Sequence, residues 1–132
     1  QNVKNMVVLT GDLHASFAAD ICDDPYSWSN YNRYTGEGSL AVEFVTPSVT
    51  SPGFPMIIAN SAENTIMAGS PHIKYAEVQT HGFILLTVDR TKVQSDWYYV
   101  PTVTERSKVV ECGISYACED GQGRLMRVYQ PA

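Results

Sequence analysis

The sequence predicts an α/β protein, strand-rich with few short helices, patterned as the back half of a layered α/β/β structure in which one sheet edge and an antiparallel hairpin layer pack on elements supplied from elsewhere. Three observations carry this. Short apolar runs bounded by Gly, Pro or Asp recur along the 132 residues. Only two stretches have helical spacing. The second half offers no helical segments of about ten residues between its strands, as a doubly wound sheet requires.

Met6-Val7-Val8-Leu9-Thr10, ended by Gly11, suits a strand buried on both faces. His14 to Asp20 can form about two helical turns directly after it. Asp23 to Gly38 holds Pro, Ser, Asn and Gly around Tyr26, Trp28, Tyr31 and Tyr34. It predicts an irregular surface loop whose aromatics pin it down or touch a ligand. Leu40 to Thr46 is a second strand, stopped by Pro47. Met56 to Met67, with apolar residues at 57, 58, 62, 66 and 67, suits a helix after Pro55. Phe83–Val88 and Val93–Val100 flank the polar turn Asp89-Arg90-Thr91 and predict a hairpin. Val109–Cys118 and Arg124–Tyr129 predict another, joined through residues 119–123. No repeat or linker divides the chain, so residues 1–132 form one unit.

Composition narrows the function. A charged share of 17% with 44% hydrophobic residues excludes a disordered chain. A net charge of -5, with nine scattered Lys and Arg, argues against nucleic-acid binding. No apolar run approaches the ~18 residues of a membrane helix. Residues 1–5 lack the apolar core of a signal peptide, and the start without Met is expected to follow a removed segment. Cys112 and Cys118 would lie about 20 Å apart on an extended strand, so a disulfide requires a fold-back at Gly113. With no metal-type Cys spacing, the three cysteines read as structural or incidental.

The segment richest in chemistry is Thr10-Gly11-Asp12-Leu13-His14. In an extended turn, Asp12 and His14 project to one side, and Gly11 permits close backbone approach. Carboxylate with neutral imidazole is a partial shell for Fe, Mn or Zn. The competing reading makes Asp12 a helix cap and His14 a partly exposed side chain.

Read together, four blocks resemble the PhoD-like alkaline phosphatase/phosphodiesterase family. They are Thr10-Gly11-Asp12-Leu13-His14, the run from Gly38 to Gly53, Ser70-Pro71-His72-Ile73-Lys74-Tyr75 with His81-Gly82-Phe83-Ile84-Leu85-Leu86, and Val93 to Val100. The resemblance covers roughly residues 6–104 and extends into the tail. Ser70 departs from it, since the family often carries Asn before Pro-His. The resemblance implies the calcineurin-like metallophosphoesterase fold, a four-layer α/β-β/α sandwich, of which this chain would be the C-terminal half. It further implies metal-dependent hydrolysis of phosphate mono- or diesters, with iron and calcium as metals and Asp12 and His14 as metal ligands. Such enzymes are commonly exported, so a periplasmic or extracellular location is expected. The family's earlier motifs are absent. The chain is therefore expected to be inactive alone and to bind the missing N-terminal part or another copy through its exposed sheet face.

Other residues have plainer readings. His72 is a weak candidate for phosphate contact, against a turn histidine packed on Tyr75. His81 opens a strand. Ser16 hydrogen-bonds a ligand or caps the short helix. Asp20, Asp23 and Asp24 lack a calcium-loop pattern. Ser39, Ser48 and Ser51 lack a nucleophile-elbow context. Trp97, Tyr98 and Tyr99 read as core and strand-surface aromatics. Two rival functions stand beside the phosphoesterase: a non-catalytic β-rich module stacking ligands on the Tyr26–Tyr34 aromatics, and a structural subunit docking its apolar sheet face on a partner.

Overall fold

The computed structural model describes residues 3–132. The elements in chain order are β1 (Met6–Thr10), β2 (Ser16–Ile21), β3 (Ala41–Val45), α1 (Met56–Gly69), β4 (Ile73–Glu77), β5 (Gly82–Val88), β6 (Lys92–Tyr99), β7 (Glu111–Glu119) and β8 (Met126–Val128). They form two four-stranded sheets, ordered β1-β3-β2-β4 and β5-β6-β7-β8. The first is mixed, with β1 parallel to β3 and β2 antiparallel to both β3 and β4. The second is an antiparallel meander.

Alternation along the central strands sends side chains to two cores. Ala18, Val42 and Phe44 of the first sheet meet Val93, Trp97, Tyr116 and Cys118 of the second. The opposite face of the first sheet, through Phe17, Val45 and Ala76, receives Ala59, Ala62, Ile66 and Met67 of α1. The chain thus supplies three layers, helix on sheet on sheet. Trp97 is fully buried, edge-on to Phe44, Tyr75 and Tyr116 at centroid distances of 5.7, 5.9 and 6.3 Å. Its indole Nε1 donates to the Val45 carbonyl at 3.0 Å, which satisfies the one polar atom it carries into the core.

Both hairpins form as expected, Val88 facing Val93 across the first and Ala117 facing Met126 across the second. The 56–67 helix runs to Gly69. Two expectations are corrected. Residues 14–20 do not form a helix, because Ser16–Asp20 are completely buried as an inner strand between β3 and β4. The Phe-Ala-Ala run favours helix locally, but pairing on both edges outweighs intrinsic propensity. Ser16 is accordingly a strand residue and caps nothing. β1 is an edge strand with Met6 and Leu9 half exposed, not a strand buried on both faces. The turn expected around His72 forms at Pro71–His72, and β4 follows it, a strand whose five residues Ile-Lys-Tyr-Ala-Glu are too short to show a period in the sequence. Cys112 and Cys118 remain free on one extended strand, because Gly113 makes a bulge opposite Trp97–Tyr98 rather than a fold-back.

Asp20, on β2, is the electrostatic hub. Fully buried, it accepts hydrogen bonds from the Tyr31 hydroxyl (2.8 Å) and the Leu125 amide (2.7 Å) and pairs with Lys74 Nζ at 3.3 Å. These contacts fasten the 22–40 loop, β4 and the segment before β8 to one carboxylate. Burial, and then the Asp20 hydrogen bond, push the Tyr31 phenol far above its ordinary pKa, so it stays a donor. Asp20→Ala leaves Lys74 without its counter-charge and strands two donors. We expect a loss of about 3–5 kcal/mol in urea unfolding, with Asp20→Asn intermediate.

Candidate functional site

Parallel pairing of β1 with β3 brings their carboxyl ends together, Thr10 opposite Val45, with the Thr46 amide donating to the Thr10 carbonyl at 2.9 Å. Ligands of open sheets containing parallel strands bind beyond such ends. Two connections leave here: the 11–15 turn into β2 and the 46–55 loop into α1. His14 Nδ1 lies 3.0 Å from the Pro52 carbonyl, and His81 Nε2 lies 3.0 Å from the Ser51 carbonyl. Two imidazoles therefore hold neighbouring peptides of one loop.

The 11–15 turn is not extended. Asp12 and His14 both adopt left-handed backbone, φ 68° and 55°, and the Leu13 amide donates to the Gly11 carbonyl at 2.8 Å. Outside glycine such conformations cost on the order of 1–3 kcal/mol and concentrate at functional sites. Strain at both residues of the Asp-x-His motif separates it from an ordinary helix cap, and there is no helix here to cap. A carbonyl can only accept, so the Pro52 contact makes Nδ1 the protonated nitrogen of His14 and leaves the Nε2 lone pair available. Metal-ligating histidines are oriented in this way, by a backbone carbonyl on the nitrogen away from the metal. The chemistry of the two side chains, a carboxylate oxygen and an imidazole nitrogen held by a backbone carbonyl, is of a type that cations accept. Among the described residues no group of three or more His, Cys, Asp or Glu side chains is arranged to hold a metal. Glu77, across from Ser16 at the same end of β2, is engaged instead through Oε1 with the Gln79 and Thr80 amides.

His81 gains a partner that its sequence context does not announce. Gly82 fixes it in place, since a Cβ there would lie 2.0 Å from the Tyr98 carbonyl oxygen. The Gly82 amide donates to the Ser48 carbonyl at 3.0 Å.

His72 lies elsewhere. Its carbonyl accepts from the Asp20 amide at 2.9 Å, at the far end of β2 from the Asp12–His14 turn. The length of β2 between Ser16 and Asp20, about 13 Å at ~3.3 Å per residue, separates the two. Its Nδ1 is buried without a hydrogen-bond partner among the described residues. The other residues are also accounted for. Asp24 Oδ1 accepts from the Tyr26 amide, and the Ser39 hydroxyl donates to the Gly123 carbonyl. Burial raises the pKa of Cys22 and Cys118, which keeps both thiols protonated. No helix among the described residues is long and apolar enough to cross a membrane.

The α/β/β layering thus places the Asp12–His14 turn and the 46–55 loop together beyond the ends of the parallel strands. The family model of the PhoD-like phosphatases matches residues 1–97, and the chain belongs to that family. It is 29% identical over 133 residues to alkaline phosphatase D of Bacillus subtilis (strain 168), an alignment covering 97% of this chain and 20% of that protein. A solved structure, "Structure of PhoD", superposes with a TM-score of 0.77 and 28% identity over 99% of this chain and 23% of its own. The chain therefore spans about a fifth of the length of these relatives.

The placement of His72 has a pH consequence. Burial lowers its pKa below the ordinary histidine value, against the opposing pull of Asp20 and Glu43. The folded state then refuses a proton that the unfolded chain accepts below about pH 6.5. Stability is full above that value and falls as the solution is acidified toward the lowered pKa. His72→Gln should flatten the fall in thermal midpoint between about pH 7 and about pH 5.

Proposed function

We propose that this chain contributes to the metal centre of a phosphoesterase that hydrolyses phosphate mono- or diesters, the remaining ligands coming from an N-terminal part of the same protein. The observation that carries this is the strained Asp12–His14 turn with Nδ1 of His14 engaged by Pro52, in a chain of the PhoD-like phosphatase family. Iron and calcium are the proposed metals, in keeping with a mixed oxygen and nitrogen donor set. A bound cation would supply Lewis acidity and lower the pKa of water. Asp12 offsets cation charge, His14 Nε2 adds a neutral donor, and the Pro52 carbonyl fixes the imidazole plane. Gly11 leaves the backbone open to the phosphate. Phosphoryl transfer asks mostly for such positioning and charge neutralisation.

On this reading the chain is the C-terminal portion of a four-layer sandwich, and the front part covers the open side of β1. There, Val7 and Leu9 face Leu86, Val88 and Val93 across an apolar groove of about 300 Å³. Leu9 and Val88 in this groove are 59% and 69% exposed, more than an unpartnered surface favours in one place. A periplasmic or extracellular location completes the proposal.

Activity and metal content of the full protein test it together. Asp12→Asn and His14→Ala should each lower bound metal and reduce turnover of an aryl phosphate and a bis-aryl phosphate by more than about 100-fold. Chelator should do the same to the unmodified protein. His72→Ala should cost little, since β2 separates it from the turn. Full turnover with metal retained in either site variant would remove Asp12 and His14 from the centre.

A further inference from the structure

At the Asp20 end of β2 an open basin of about 510 Å³ stands out by its charge: it is lined by Arg33, Lys74, Arg124 and Arg127, four of the nine basic residues in a chain of net charge -5. No Asp or Glu lines it. Lys74 is neutralised by Asp20 at 3.3 Å. The three arginines have no carboxylate within 4.0 Å among the described residues, although the chain holds 14 acidic residues. Like charges gathered in one concavity repel, and a cleft of one sign focuses potential on an ion of the other.

The arginines are also held in place. Arg124 Nη1 donates to the Thr35 carbonyl, and its side chain lies against Gly36, where a Cβ would approach it to 3.0 Å. Arg33 Nη2 donates to the Met67 carbonyl at 3.3 Å, and its own carbonyl accepts from Lys74 Nζ at 2.6 Å. Arg127 lies over the Tyr129 ring at 5.4 Å. A guanidinium carries five donors, so each retains several for a ligand. Planar forks of this kind match phosphate oxygens better than ammonium groups do.

We propose that Arg33, Arg124 and Arg127 form an anion subsite that binds a phosphate group remote from the Asp12–His14 turn. Resting on the phosphoesterase reading, the subsite holds a further phosphate of a substrate that carries several along a chain. The length of β2 separates subsite from turn, so a substrate with a single phosphate engages one and not the other.

The test uses the full protein, with tripolyphosphate and inorganic phosphate as probes in calorimetric titration. The double variant Arg124→Gln/Arg127→Gln should weaken tripolyphosphate binding at least about tenfold and reduce its salt dependence. Arg127→Gln alone, in which only an exposed side chain changes, should show a smaller loss in the same direction and guards against misfolding of the double variant. Turnover of a bis-aryl phosphate should be unchanged in both, while KM for an oligomeric phosphodiester rises. Inorganic phosphate binding as tightly as tripolyphosphate would assign the subsite to product phosphate rather than a chain and overturn the substrate assignment. Tripolyphosphate affinity unchanged in both variants would overturn the subsite itself. The binding arm does not depend on turnover, so failure of the Asp12 and His14 variants to affect hydrolysis would leave its result intact.

Discussion

The hydrogen bond from the Trp97 indole to the Val45 carbonyl is the contact on which the arrangement turns. It joins the second sheet to the first at the last residue of β3, where the chain leaves the sheet for the 46–55 loop. Phe44, one residue earlier, lies against the same indole. Trp97 thereby fixes both the spacing of the layers and the point from which that loop departs. The loop presents the Pro52 and Ser51 carbonyls to His14 and His81. Orientation of the imidazole at the sheet edge is thus inherited from packing in the core between the sheets.

Much of this was legible in the sequence, and the failures share a cause. The hairpins could be read because turn chemistry and aromatic, β-branched strands agree locally around Asp89–Thr91 and residues 119–123. Residues 14–20 misled because Ala18 and Ala19 are small enough to lie between β3 and β4, a property of the neighbours that helix propensity does not contain. Lys74 within β4 hid that strand, since its charge is tolerated only through Asp20, fifty-four positions earlier in the chain. For the site, the residue types of Asp12 and His14 were readable, but their left-handed backbone and the Pro52 contact were not. The gathering of three arginines was invisible for the same reason: positions 33, 124 and 127 meet only because β8 closes on the 22–40 loop.

The two ends of β2 divide the chemistry. At the Ser16 end lies the strained turn proposed to hold a cation; at the Asp20 end the chain gathers cations of its own. A buried inner strand is a rigid spacer between them, because Ser16–Asp20 are paired on both edges and covered on both faces. Neither end can shift along the strand without moving every side chain to the opposite core.

The Asp20–Leu125 hydrogen bond spans 105 residues of sequence. While the chain is being synthesised, β2 emerges before its partners, carrying a carboxylate that they reach in order: Tyr31, then Lys74, then the Leu125 amide. Until that last amide leaves the ribosome, the charge lacks one of the contacts that make its burial tolerable. Closure of the interlayer core is consequently a late event, dominated by non-local pairing of the kind that folds slowly. A nascent chain halted before residue 125 would leave the core between its sheets unclosed, and quality-control proteases would meet it in that state.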